Sequence, residues 1–130
     1  MPRWAWIGLL GLALPALAQD LQLARSLLCR DVVQREPAGI IEAEQLPAGV
    51  DKLVLFTEIK DGSGQKVHHR WYHNGELQAD VALRIGADRW RTWSEKKVSP
   101  GQWRLEVLND GGDLLYQRTL TLGPVESPSP

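Results

Sequence analysis

The stretch His69-Arg70-Trp71-Tyr72-His73-Asn74-Gly75-Glu76-Leu77-Gln78-Ala79-Asp80-Val81-Ala82-Leu83-Arg84-Ile85 decides the fold. Asn74-Gly75 is the strongest hairpin signal in the chain, because both residues tolerate the positive φ angles of a tight turn. On its far side Leu77, Ala79, Val81, Leu83 and Ile85 alternate with polar residues, the period of a half-buried strand. Two registers are open. A two-residue loop pairs His73 with Glu76 and His69 with Asp80, leaving Trp71 opposite Gln78 on a polar face. A three-residue loop pairs Trp71 with Leu77 and His69 with Ala79. It gathers Val67, Trp71, Leu77, Ala79 and Val81 on one face, with His68 near Asp80 and Tyr72 near Glu76 on the other. The second is preferred, since a shift of one residue turns every side chain over and only this register collects the apolar ones.

Working outward, similar runs fill the chain. Asp51 to Ile59 reads as a strand, turned by Asp61-Gly62-Ser63-Gly64 into Gln65 to His73. Arg89 to Val98 is a further strand. Ser99-Pro100-Gly101 turns it into Trp103 to Leu108, and Asp110-Gly111-Gly112-Asp113 leads into Leu114 to Leu122. Leu21 to Val33 is a strand or, by its Leu/Ala content, a short helix. Glu36-Pro37-Ala38-Gly39 and Leu46-Pro47-Ala48-Gly49 read as turns. The count is about seven strands, which predicts an all-β, immunoglobulin-like antiparallel β-sandwich. Its boundaries are 19–124, with a disordered Pro/Ser tail at 125–130.

Residues 1–18 read as a secretory signal peptide. Arg3 supplies the positive end, Ala5 to Leu14 the apolar core, and Ala16-Leu17-Ala18 the small-x-small cleavage pattern before Gln19. The apolar run falls short of the about 20 residues a membrane helix needs, so no span is expected after cleavage. Removing Arg3 from the 15 Lys and Arg leaves 14 against 16 Asp and Glu. That balance gives no general pull toward nucleic acid. Cys29 is the single cysteine. It cannot close an internal disulfide and is read as a small buried apolar residue.

The runs Arg35-Glu36-Pro37, Phe56-Thr57-Glu58, His69-Arg70-Trp71-Tyr72-His73, Arg89-Trp90-Arg91-Thr92-Trp93-Ser94 and Gly101-Gln102-Trp103-Arg104-Leu105-Glu106-Val107 resemble the bacterial family catalogued as domain of unknown function 2914. The resemblance extends from about Leu23 to Leu122. It implies the sandwich fold and an envelope setting, and it implies no activity.

Chemistry-bearing motifs are few. No Gly-x-Ser-x-Gly elbow, His-Glu-x-x-His run or phosphate loop occurs, so no catalytic residue and no cofactor is assigned. His69 and His73 share a strand face but stand roughly 13 Å apart at about 3.3 Å per residue, too far for one metal ion. Ser94, His69 and Asp80 contain the residue types of a hydrolytic triad, a coincidence of composition. The aromatic strand around residue 93 is the better candidate. Trp90, Thr92 and Ser94 share one face, and Arg91, Trp93 and Glu95 the other, so one Trp lies opposite the buried side. The charged neighbours nominate Trp93, with Arg91 at its edge, as a stacking platform. The candidate binding set is Arg91, Trp93, Tyr72, Arg70, His68 and Glu95. The expected role is a protein-interaction module with an envelope protein partner. A glycan-binding module using Trp93 and Tyr72, or a small metal-dependent enzyme or hydrolase, are the alternatives.

Overall fold

The computed structural model describes residues 20–123. The export signal read at 1–18 and the tail read at 125–130 lie outside the described residues. Among the described residues nine strands form two sheets: β1 (Gln22–Val33), β2 (Glu36–Ile41), β3 (Gln45–Leu46), β4 (Lys52–Lys60), β5 (Lys66–His73), β6 (Glu76–Arg84), β7 (Arg89–Lys97), β8 (Gly101–Asn109) and β9 (Leu114–Leu122). One sheet runs β2-β1-β4-β7 and the other β3-β9-β8-β5-β6. The pairs β4–β7, β5–β8 and β8–β9 reproduce the B–E, C–F and F–G neighbours of an immunoglobulin sandwich. Among the described residues no helix is long and apolar enough to cross a membrane.

The all-β sandwich is as expected, and seven of the strands fall within a residue or two of their predicted bounds. The residues from Gln22 to Val33 form a strand rather than a helix. The two additional strands come from the segment read as punctuation. Pro37-Ala38-Gly39 is part of β2 instead of a turn, and the reversal lies at Gln34 and Arg35, with φ of 51° and 64°. Proline is tolerated because β2 is an edge strand.

The β5–β6 hairpin departs from both expected registers. Asn74 and Gly75, with φ of 50° and 86°, form the two-residue loop, so His73 pairs with Glu76 and Tyr72 with Leu77. A bulge then shifts the ladder, and Trp71 meets Ala79, His69 meets Val81 and Val67 meets Leu83. The preferred three-residue loop is therefore incorrect, but the bulge delivers Trp71 to the core as that loop would have done. Leu77 lies on the turn side of the bulge and is 51% exposed.

Leu28, Leu53, Leu55, Ile59, Val67, Trp71, Ile85, Trp103, Leu105 and Val107 fill the space between the sheets. Trp71 and Trp103 meet edge to face at 6.5 Å. Gly101, at φ 138°, permits close approach of two turns: a Cβ there would sit 2.5 Å from the His73 ring. The turns are joined by Asn74 N–H to Gln102 O and Gln102 N–H to Asn74 Oδ1, at 2.8 and 2.9 Å.

A second apolar cluster lies on the outer side of the four-stranded sheet. Cys29, Val54 and Phe56 are fully buried there, with Leu27, Val32 and Trp93 against them. The roof is the β1–β2 hairpin itself. Glu36 pairs with Val33, eight positions beyond Arg25 on β1. An unbent strand would separate those levels by roughly 26 Å, yet Glu36 and Arg25 form an ion pair at 2.8 Å. The hairpin therefore folds back over the sheet. Gly39 marks the bend: its φ is 68°, and a Cβ would press on the Arg30 side chain at 3.0 Å.

Candidate functional site

The residues nominated from sequence divide between opposite faces. His68, Arg70 and Tyr72 alternate with core residues on β5 and face outward from the five-stranded sheet. His68 contacts Asp80 at 3.5 Å and Asp110 at 3.2 Å, Arg70 reaches Asp80 at 3.2 Å, and Arg104 lies 4.0 Å over the Tyr72 ring. Arg91, Trp93 and Glu95 sit on the outer face of the other sheet, opposite Glu58, Phe56 and Val54. Tyr72 and Trp93 therefore cannot flank one sugar. Arg70 and Arg91 share no acid, since Arg91 pairs with Glu36 at 2.7 Å.

Trp93 is not an open platform. Its ring stacks on Phe56, with centroids 6.1 Å apart and planes 12° from parallel. Neighbouring β4 and β7 set these residues directly opposite one another, which brings aromatic pairs into contact. Arg91, which lines the same groove as Trp93, hydrogen-bonds to the hairpin tip at Glu36 and Arg35 O. The ring is part of the outer apolar cluster, packed with Cys29, Val54 and Phe56.

The hairpin tip is held by a charged cluster. Arg25 bridges Glu58, at 2.6 Å, and Glu36, at 2.8 Å. Hydrogen bonds from Arg25 and then Arg91 lower the Glu36 carboxyl to about 2. Hydrogen bonds to Glu36 and Glu58 raise the Arg25 guanidinium further above its ordinary value. Arg89 approaches Glu58 at 3.7 Å.

Beside this cluster a groove of about 400 Å³ opens between the flap tip and the edges of both sheets. Arg35, Ala82, Leu83, Arg84, Trp90, Arg91, Thr92 and Trp93 line it. Both β6 and β7 end their sheets, so the groove occupies the open side of the sandwich. Trp90 is set in place by Gly86, where a Cβ would lie 2.9 Å from its ring, and by the Arg35 guanidinium, 5.5 Å from its centroid. Three arginines face the groove and no carboxylate lines it. Among the described residues neither Arg35 nor Arg84 has an acidic partner. Trp90, Arg35 and Arg84 are thus the aromatic and charged groove residues missing from the sequence-derived set. The Arg89–Ser94 run pointed to the right strand, but Arg35 and Arg84 come from distant turns and edges.

Ser94 and His69 do meet, without Asp80. Trp71 Nε1–H donates to Ser94 Oγ at 3.0 Å, and Ser94 Oγ lies 2.7 Å from His69 Nδ1. His69 Nε2 is 3.3 Å from Thr57 Oγ1, whose hydroxyl donates to Thr92 O at 2.9 Å. Because the Thr57 proton is committed, His69 carries its proton on Nε2 and accepts from Ser94 at Nδ1. Each of these side-chain groups, from Trp71 through Ser94 and His69 to Thr57, finds a partner, which is how a histidine is accommodated between two sheets. Burial, then the neighbouring His68, lowers the His69 imidazole to about 3. Ser94 and His69 are both buried, and the Ser94 oxygen is occupied by the indole N–H. The pair therefore has the contacts of a nucleophile and base but no reach to a substrate. Among the described residues no group of three His, Cys, Asp or Glu side chains is placed to hold a metal ion.

Fold and site together define an immunoglobulin-like sandwich with a cationic, tryptophan-lined groove along its open side. The sequence model of the family described as Protein of unknown function (DUF2914) matches residues 64–121. The resemblance read from the His69–His73 and Arg89–Ser94 runs is borne out over that stretch, from the β4–β5 turn through most of β9. Arg35–Pro37 and Phe56–Glu58 precede it. No match was found among curated proteins.

Proposed function

We propose that this chain is an exported, non-enzymatic interaction module of the bacterial envelope, and that it docks a protein partner in the Trp90–Trp93 groove. The observation that carries this reading is the composition of the groove: two indoles and three guanidiniums, without a lining carboxylate, beside the edge strand β7. Tryptophan and arginine are the side chains that most often dominate protein interfaces. The signal-like residues 1–18 support the envelope setting. A glycan platform is less well supported, because Trp93 is stacked on Phe56 and Trp90 is covered on one face by Arg35.

The test is photo-crosslinking in the envelope, with a photoreactive residue at Ala82 in the groove and a control at Gln117 on β9. A discrete protein adduct at position 82 alone is expected. No adduct at position 82, or equal adducts at both sites, would count against a groove-specific partner.

A further inference from the structure

The partner's chemistry follows from the strand edge beside the groove. Among the described residues β7 pairs with β4 alone, along nine residues from Lys52↔Lys97 to Lys60↔Arg89. In a constant-type immunoglobulin sandwich the sheet containing A, B and E continues to strand D. Here β4 and β7 take the B and E places, and among the described residues the D place next to β7 has no strand. An edge of this length exposes unpaired backbone N–H and C=O groups and is a template for another strand.

Charge selects what can add to it. β7 contains Arg89, Arg91, Lys96 and Lys97 against Glu95. A second copy of β7 laid antiparallel in full register would set Arg89 against Lys97 at both ends and bring two strands of net positive charge together, relieved only where Arg91 meets Glu95, so self-pairing is disfavoured. An acidic strand reverses the sign of every such contact. Arg35 and Arg84, without acidic partners among the described residues, stand at the groove's two sides.

We propose that β7 takes up an extended acidic segment of a partner protein as an added strand in the open D position, with carboxylates toward Arg35 and Arg84 and the alternating apolar side chains on the core-side face, against Trp90. Main-chain bonds to β7 provide affinity and the side-chain alternation provides selectivity. The inference rests on the interaction-module reading and specifies its ligand.

The test uses the purified protein and three blocked peptides of about eight residues. One alternates Glu and Val, one alternates Lys and Val, and one is the Glu/Val peptide N-methylated at every second amide. Tryptophan fluorescence measures binding, and amide hydrogen exchange locates it. The Glu/Val peptide is expected to bind at least about tenfold tighter than the Lys/Val peptide, to weaken with added salt, and to slow exchange in β7. Arg84→Glu and, independently, Arg35→Glu should each weaken it, with circular dichroism confirming the fold. Equal binding of Glu/Val and Lys/Val peptides overturns the acidic preference. Undiminished binding of the N-methylated peptide overturns strand addition. Tighter binding of a sulfated oligosaccharide or phosphatidylglycerol vesicles, without β7 protection, overturns the peptide class. If no peptide binds while position 82 still crosslinks to a protein, this inference fails and the interaction-module reading stands. If both fail, both are removed.

Discussion

The two outer faces of the sandwich are built on different principles. The five-stranded sheet presents His68, Arg70 and Tyr72 to solvent, each matched by a charged neighbour from the same sheet. The four-stranded sheet presents Cys29, Val54 and Phe56, then covers them with its own first hairpin. One face is solvated in the ordinary way and the other is a second core. The difference teaches why the groove lies where it does. Folding the β1–β2 hairpin over the sheet carries Arg35 to Trp90 and Glu36 to Arg91, so the roof of the second core also forms one wall of the groove.

The strongest challenge to this comparison is truncation of the aromatic residue in each core. Trp71→Ala, in the central core, should cost about 3–5 kcal/mol in urea unfolding. Phe56→Ala on the outer face should cost a similar amount. A loss under about 1 kcal/mol for Phe56→Ala would mean that the hairpin does not roof a true core.

Acid should distinguish the interior next. His69 is held neutral in the fold, its imidazole lowered from 6.5 to about 3. The unfolded chain therefore binds the additional proton between those values, and stability falls as pH drops through that window, by up to about 1.4 kcal/mol per unit. It is fully present above pH 6.5. The difference in unfolding free energy between the protein and His69→Gln, followed from pH 7 to 5, should show this slope. Glu36 loses its ion pairs only as pH falls from 4.5 toward 2, so the hairpin clamp titrates later.

Gly39→Val should cost about 1–3 kcal/mol, because it combines positive φ with contact on Arg30. It should also loosen the roof. The fully buried Cys29 thiol, raised by burial, then reports the opening: labelling by a maleimide should be slow in the native protein and faster in the variant. Unchanged labelling would place the bend elsewhere. The smallest effect belongs to the solvated face, where Arg70→Ala should leave the urea midpoint unchanged. A clear shift there would erase the distinction between the faces.

The legibility of the chain follows the same division. Strands from β4 to β9 announce themselves through alternation and through Gly- and Asn-rich turns, which are local signals. The region from Gln34 to Leu46 does not, because Pro-Ala-Gly serves equally as a turn and as a bent edge strand. The β5–β6 register was misread by assigning to the loop a correction that the bulge at Trp71 and Tyr72 makes. Trp93 was misread because Phe56 lies across the β4–β7 pairing, and a whole hairpin separates those strands in sequence.

By itself the sequence determined an all-β sandwich, most of its strands, the burial of Trp71, and the interest of the Arg89–Ser94 run. Periodicity and turn chemistry act over a few residues, and they suffice for that. Only the tertiary structure decided that His68, Arg70 and Tyr72 lie on the face opposite Arg91 and Trp93. It alone also decided that Ser94 completes a buried hydrogen-bond chain, and that Arg35, Arg84 and Trp90 meet at an open edge. Those outcomes depend on which distant strands pair and where one hairpin bends, and no local pattern encodes either.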